Sequence, residues 1–414
     1  LIVGTNLGAY PHSLETSMKE LSELVYAAGG QVEIEVVQNM ERYNPKYLIG
    51  PGKAEEIKEV CESNEIDTVV FNDELSGIQL RNLSDLIKKK VVDRTNLILD
   101  IFALRASTYE AKLQVKMAAL EYELPRLLGI KGWSRTGGGI GTRGPGEQII
   151  ETDRRRLKRE IDSIRQKLEK AKQTRKTIGR ERRDSNLPIV SLVGYTNAGK
   201  STILNNLKDK QSKEVFVKDM LFATLDPSSR QATLPNKTSI IVSDTVGFVS
   251  KLPTKLIEAF KSTLEEIQYS DLILHVIDLA GEDMMLEYKT TMDILKDVGI
   301  KDKKILTVYN KKDLVDIENV VLPSSDGDKI FISAFDEKDI RRLQDEITRL
   351  LDLDLKKYSI SLPYNSLGLL EKIKTKYCVE EIEYDENGAK FKAIISSRTL
   401  DDIKKAGGLC IEAC

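Results

Sequence analysis

The chain has 414 residues, 41% hydrophobic and 31% charged, with a net charge of −2. That length supports two to four domains with separate cores, and no run of about eighteen apolar residues is present to cross a bilayer. The four cysteines, Cys61, Cys378, Cys410 and Cys414, form no CxxC pair, which argues against zinc and a disulfide framework and fits a reducing cytoplasm.

From the first residue to about 104, short β-type runs ("LIVG", "VEIEVVQ", "DTVVF", "KVVD") alternate with helical stretches such as "SLETSMKELSELVYAAG" and "AEEIKEVCESN". The order predicts an N-terminal α/β domain with a parallel sheet. "LIVGTNLG" has neither the basic region nor the cleavage site of a signal peptide, and the missing initiator Met suggests sequence ahead of it. In "YLIGPGKAEEI" the spacing is too short for a phosphate loop, so Gly50, Pro51, Gly52 and Lys53 are read as a strand-to-helix turn.

A helical arm is predicted over 105–186. Leu113, Met117, Leu120, Leu124 and Leu127 recur at steps of four and three, as do Leu157, Ile161, Ile164, Leu168 and Ala171. Two such seams joined by a short connection pack as an antiparallel hairpin. Its tip is "KGWSRTGGGIGTRGPGEQ", with Lys131, Trp133, Arg135 and Arg143. From 151 to 183 there are fourteen Lys/Arg and six Asp/Glu, a local balance of +8 that leaves −10 for the rest of the chain. A solvated face is the usual meaning of such a helix, yet "DRRRLKREI" has too few acids to neutralise Arg154, Arg155 and Arg156. A glycine tip admits close backbone approach, so the arm suits RNA phosphates. A membrane-surface helix fits less well, because the seam lacks Trp and Phe.

After "DSNLP", a domain over 187–353 opens with "IVSLVGYTNAGKST". Gly194, Tyr195, Thr196, Asn197, Ala198, Gly199, Lys200 and Ser201 satisfy GxxxxGK[ST] between a strand and a helix that continues with Thr202. Such a loop turns its N–H groups toward phosphates, Lys200 supplies a cation, and the Ser201 hydroxyl binds Mg2+. "SIIVSDTVGF" follows, where Asp244 holds Mg2+ through water and Thr245, Val246 and Gly247 lead to an N–H that senses the γ-phosphate. "ILTVYNKKD" ends in Asn310, Lys311, Lys312 and Asp313, a guanine-reading pattern in which the carboxylate accepts from N1–H and the exocyclic amine. "IFISAF" sets Ser333, Ala334 and Phe335 beside the guanine oxygen. In "MLFATLDPSSR", Thr224 is the candidate switch threonine, with Thr233 and Thr245 as competing hydroxyls.

The motifs "ERYNPKYLIGPGK", "DRTNLILDIFALRASTYEAKLQVKMAALEYELPRL", "GGGIGTRGPGE", "GYTNAGKST", "LFATLDP", "DTVGF" and "NKKD" together resemble the HflX family of ribosome-associated GTPases. The resemblance covers about three quarters of the chain. It implies a multidomain α/β architecture: an N-terminal α/β domain (1–104), an antiparallel helical hairpin, a Ras-like P-loop GTPase domain and a small C-terminal α/β domain (354–414). It favours Thr224 as the threonine that joins Ser201 and Asp244 at Mg2+, with Phe222, Ala223, Leu225 and Asp226 beside it. It also implies a large-subunit partner contacted through ribosomal RNA, GTP-dependent splitting or rescue of stalled ribosomes under stress, and a cytoplasmic monomer with a membrane-associated fraction left open.

At the position where Ras-like enzymes use a water-orienting Gln the chain has Phe248, so slow intrinsic turnover stimulated by a ribosomal partner is expected, with Lys200 and Thr224 supplying charge and metal binding. Asn197 has two readings, a ligand for K+ beside the phosphates or a stabiliser of the loop turn. The competing function is a signalling GTPase that engages a protein or membrane partner through a coiled-coil arm.

Overall fold

The computed structural model describes residues 1–8, 14–127, 145–184, 187–208, 228–245, 247–249, 265–281, 283–300, 303–323, 327–351, 356–377, 379–395 and 397–412. The tip residues Lys131, Trp133, Arg135 and Arg143 lie outside the described residues.

The N-terminal domain alternates β1 (Ile2–Asn6), α1 (Leu14–Ala27), β2 (Glu35–Asn39), α2 (Pro51–Ser63), β3 (Thr68–Phe71), α3 (Gly77–Ile87), β4 (Lys90–Asp93) and α4 (Arg94–Arg105). Its sheet runs β2-β1-β3-β4 with every pairing parallel. Successive strand residues face opposite sides, so Ile2, Val70 and Val92 join one core with α1 and α4, while Val3, Val69 and Val91 join another with α2 and α3. The strands are apolar on both faces because helices cover both. The "GPGK" turn is structural: the Gly50 N–H donates to Gln38 Oε1 at 2.9 Å, and Lys53 pairs with Glu56 at 2.7 Å.

The next helix, α5 (Tyr109–Glu123), has two apolar sides. Leu113, at 9% exposed, belongs to the predicted seam, whereas Ala111, Val115, Ala118 and Tyr122 complete the N-terminal core. Arg126 ties the end of this segment down, donating to the Leu75 and Tyr122 carbonyls at 3.0 Å and pairing with Glu74 at 2.8 Å. The Tyr122 hydroxyl donates to Asp93, whose other oxygen caps α4 through the Asn96 N–H at 2.9 Å. The long α6 (Pro145–Asp184) packs on α5, burying Leu157, Ile161 and Ile164 and adding the ion pairs Lys116–Glu160 at 2.7 Å and Arg165–Glu121 at 3.0 Å. Arg154, Arg155 and Arg156 are exposed.

In the GTPase domain β5 (Ile189–Gly194), α7 (Lys200–Leu207), β6 (Ser228–Thr233), β7 (Ser239–Asp244), β8 (Leu272–Asp278), α8 (Met284–Asp297), β9 (Lys304–Asn310), β10 (Asp328–Phe331) and α9 (Glu337–Leu350) form a sheet β10-β9-β8-β5-β7-β6, antiparallel only at β6–β7. Two helices, α10 (Leu367–Lys376) and α11 (Ser397–Lys405), accompany the antiparallel sheet β12-β13-β11-β14 of β11 (Lys356–Pro363), β12 (Val379–Asp385), β13 (Gly388–Ile395) and β14 (Leu409–Glu412). No helix among the described residues is long and apolar enough to cross a membrane.

Gly77 opens α3 against the turn that ends α5, where an added Cβ would lie 2.5 Å from the Arg126 carbonyl oxygen. Gly77→Ala is therefore expected to destabilise the N-terminal domain by about 1–3 kcal/mol in urea or thermal denaturation. Gly52→Ala, whose Cβ would meet nothing within 4 Å, is the control expected to cost nothing.

Candidate nucleotide site

The phosphate loop leaves β5 at Gly194 and enters α7 at Lys200. Two glycines are dictated by geometry. Gly194 (φ +144°) would place a Cβ 2.1 Å from the Val276 carbonyl oxygen, and Gly199 (φ +92°) would place one 2.2 Å from Asn310 Nδ2. Asn197 also sits in the left-handed region, at φ 61°, a position asparagine tolerates better than most residues.

Within this loop the Lys200 ammonium donates to the Tyr195 carbonyl at 2.5 Å and is 6% exposed. Burial pulls its pKa down to about 8, against the attraction of Asp244 and Glu287. Ser201 Oγ donates to Asp244 Oδ2 at 2.7 Å, so two hard oxygen donors from separate motifs converge. That donor set fits Mg2+, which takes one or two protein oxygens and keeps waters. Thr245 is occupied elsewhere, because its hydroxyl donates to the Leu192 carbonyl at 2.7 Å inside the sheet. Thr233 pairs with Ser239 while Ser228 pairs with Asp244, so it stands five strand positions from the Asp244 carboxylate, about 16 Å at the usual rise. Thr224, with its neighbours Phe222, Ala223, Leu225 and Asp226, and Val246 lie outside the described residues.

The NKKD loop and the Ser333–Ala334 turn are braced by polar contacts. Asn310 Nδ2 donates to the Ala198 carbonyl, and Asn310 Oδ1 accepts from the Ala334 N–H, both at 2.9 Å. Asn206 Nδ2 donates to the Ala334 carbonyl at 2.7 Å. Lys311 pairs with Asp278 at 2.7 Å and Lys312 with Asp339 at 2.6 Å. Asp339 also accepts from the Ser333 N–H at 2.8 Å; burial alone would raise its pKa, but the Lys312 hydrogen bond and the Ser333 N–H hold it below the usual carboxylate value. Asp313 and Phe335 are exposed. The structure therefore gathers the phosphate loop, Asp244, Asn310 and the Ser333–Ala334 turn, with Lys311 and Lys312 anchored by carboxylates.

Phe248 is buried with Val193, Tyr195, Ile267, Ile273 and Ile294, in the position where a glutamine would order water. His275 is buried in β8, but it is not fully satisfied. Its Nδ1 has no hydrogen-bond partner among the described residues, the ring stacks on Tyr288 at 5.3 Å between centroids, and burial holds its pKa down to about 3. Four participants went unremarked in the sequence: Asn206, Asp278, Asp339 and Glu287. Burial first, then Asp278 and Glu20, push the Glu287 carboxyl up to about 8, against the pull of Lys200.

The sign of that shift sets a test. A folded-state pKa above the unfolded one means that stability falls as pH rises between about 4.5 and 8 and levels off above. Glu287→Gln removes this slope, so nucleotide-free variant and parent should diverge in melting temperature at pH 8.5, with the variant the more stable, and differ far less at pH 5. Gly199→Ala should weaken GDP binding at least tenfold in a fluorescent-nucleotide titration, since the clash with Asn310 displaces the phosphate loop.

Three family descriptions match successive parts of the chain: "GTP-binding GTPase N-terminal" over 15–103, "GTP-binding GTPase Middle Region" over 105–183 and "50S ribosome-binding GTPase" over 189–311. GTPase HflX of Caldanaerobacter subterraneus is 44% identical over 94% of this chain and 90% of its own length. GTPase HflX of Escherichia coli is 36% identical over 90% of this chain and 88% of its own length. A GTP-binding protein from Sulfolobus solfataricus, solved with GDP, is 26% identical over 84% of this chain and 98% of its own, with a TM-score of 0.46. With whole-length relatives of this kind and a P-loop GTPase domain, the chain belongs to the HflX family of GTPases, enzymes that hydrolyse GTP to GDP and phosphate.

Proposed function

We propose that this GTPase binds the large ribosomal subunit through its helical arm and uses GTP-dependent conformational change to split or rescue stalled ribosomes in the cytoplasm under stress. The observation that carries the proposal is the joining of a nucleotide site to a basic helix whose apolar side is already taken. Leu157, Ile161 and Ile164 are buried, which leaves Arg154, Arg155 and Arg156 exposed. A description of the matched GTPase domain as 50S ribosome-binding supports the choice of partner. The tip, with Lys131, Arg135 and Arg143, extends the same basic character.

In this proposal the loop from Gly194 to Thr202 cradles the phosphates, Asp313 reads guanine, and the Ser333–Phe335 turn lies along the base. Lys200 neutralises charge on the transferring phosphoryl group. Ser201, Asp244 and Thr224 would hold Mg2+, which would supply charge stabilisation to the phosphates. With Phe248 turned into an apolar cluster, the chain offers no side chain there to order the attacking water, so hydrolysis is slow alone and the ribosome supplies the missing order.

Turnover by the purified protein, measured with and without large subunits across a salt series, tests the proposal. Strong stimulation that fades with salt is expected. Replacing Arg154, Arg155 and Arg156 by Ala should reduce the log–log salt slope of subunit binding by about 0.7–0.9 for each phosphate that is no longer neutralised. Removing 131–147 should abolish stimulation and spare GDP binding. Tight GTP binding with no stimulation would transfer the arm to a protein partner. The same assay in KCl and NaCl decides the role of Asn197: a faster rate in KCl assigns it a K+ ion, and equal rates leave it the backbone role.

A further inference from the structure

Asp339 stands in the first turn of α9, yet its side chain is only 3% exposed. Each of its oxygens serves a different loop. Oδ2 accepts from the Ser333 N–H at 2.8 Å, and Oδ1 accepts from Lys312 Nζ at 2.6 Å. Lys312 is held through its backbone as well, where its N–H donates to the Ile332 carbonyl at 3.2 Å. Lys312, Ile332, Ser333 and Asp339 therefore close a ring of contacts that joins the NKKD loop to the turn after β10.

Asp313 follows this ring directly and is exposed, so its backbone, and not packing around its own side chain, decides where its carboxylate lies. That backbone passes through Lys311 at φ 62°, a left-handed conformation that a lysine adopts only when contacts elsewhere hold it. The side chains of both lysines supply such contacts, Lys311 on Asp278 at 2.7 Å and Lys312 on Asp339. Arg342 also approaches Asp339 Oδ1, at 3.3 Å, but its side chain is 59% exposed and its attraction is screened by solvent. A largely buried ion pair adds little net stability, because desolvation offsets most of the attraction. Here the pair fixes one loop against another.

We propose that Asp339 is a positioning residue for base selection: by holding Lys312 with one oxygen and the Ser333 N–H with the other, it sets where the Asp313 carboxylate meets guanine. This inference rests on the reading of guanine by Asp313 proposed above. A carboxylate that accepts from both N1–H and the exocyclic amine needs both of its oxygens in place. A loosened NKKD loop therefore loses discrimination between bases. The phosphate end is spared, since the contacts of the phosphate loop run through Asn310 and Asp244 and do not include Asp339.

The test titrates the full chain, without ribosomes, with GDP and with inosine diphosphate, whose base lacks the exocyclic amine. Asp339→Asn keeps the shape of the side chain but offers an accepting oxygen at only one of the two positions. Lys312→Met keeps the stem and removes the charge, and because Lys312 is part-exposed it carries the test where the buried substitution fails to fold. Each is expected to lower the preference for GDP over inosine diphosphate about tenfold, the partial loss of one hydrogen bond to a charged group, with inosine diphosphate affinity held within about twofold. That retained affinity also reports a folded phosphate loop. The double variant should lose no more than Asp339→Asn alone, since both substitutions break one tie. Arg342→Ala should leave the preference as it is. An unchanged preference in the Asn and Met variants, equal losses for the two nucleotides, additive losses in the double variant, or an Arg342→Ala effect equal to that of Lys312→Met overturns the proposal. Asp313→Ala separates the proposal from the reading beneath it. Loss of preference there with none in Asp339→Asn removes the positioning role alone, and loss in neither removes both.

Discussion

The carboxamide of Asn310 is the point on which the nucleotide site depends. It donates to the Ala198 carbonyl in the phosphate loop and accepts from the Ala334 N–H in the base-side turn, and its residue is buried. One side chain therefore ties the phosphate loop to the Ser333–Ala334 turn. The requirement propagates outward. Gly199 has to lack a Cβ because Asn310 Nδ2 occupies that space, and Asn206 has to reach Ala334 from α7 to steady the far side. Buried amide and carbonyl groups satisfied in this way rigidify a site, whereas an unpaired one would cost about 1–3 kcal/mol.

Beneath the phosphate loop the electrostatics follow the same economy. Lys200 is a buried cation with Asp244 and Glu287 in its field. A second cation there would be costly, and His275 is accordingly neutral, depressed by burial and by Lys200 itself. Glu287 meets burial, Asp278 and Glu20 together, so its carboxyl favours the protonated form near neutrality. Since Glu20 comes from the N-terminal domain, the field at the phosphate loop includes groups from two domains.

The candidate nucleotide site could be proposed from sequence because its motifs are short local patterns. Gly194 to Ser201, Asp244 to Gly247, Asn310 to Asp313 and Ser333–Ala334 are each recognised by residue type and position along one strand end or turn. Their anchors were not legible. Asp339 reads in sequence as an ordinary acid in the first turn of α9, yet it binds Lys312 and the Ser333 N–H. The arm was half legible. The leucine seam of α5 was read from steps of four and three, but Ala111, Val115, Ala118 and Tyr122 form a second stripe whose small members carry little hydrophobic signal. Only the N-terminal core shows what that stripe covers.

By itself the sequence determined the alternation of strands and helices, the order of the nucleotide motifs, the absence of a polar group at Phe248 and the concentration of basic charge on α6. Each follows from residue type and spacing over a few turns of chain. Tertiary structure decided which hydroxyls turn toward the Asp244 carboxylate, which cations are neutralised, and that Val249 lies in a core begun at Ile2. Those outcomes depend on groups tens to hundreds of residues apart, where burial and hydrogen-bond competition act in space and leave no periodic mark along the chain.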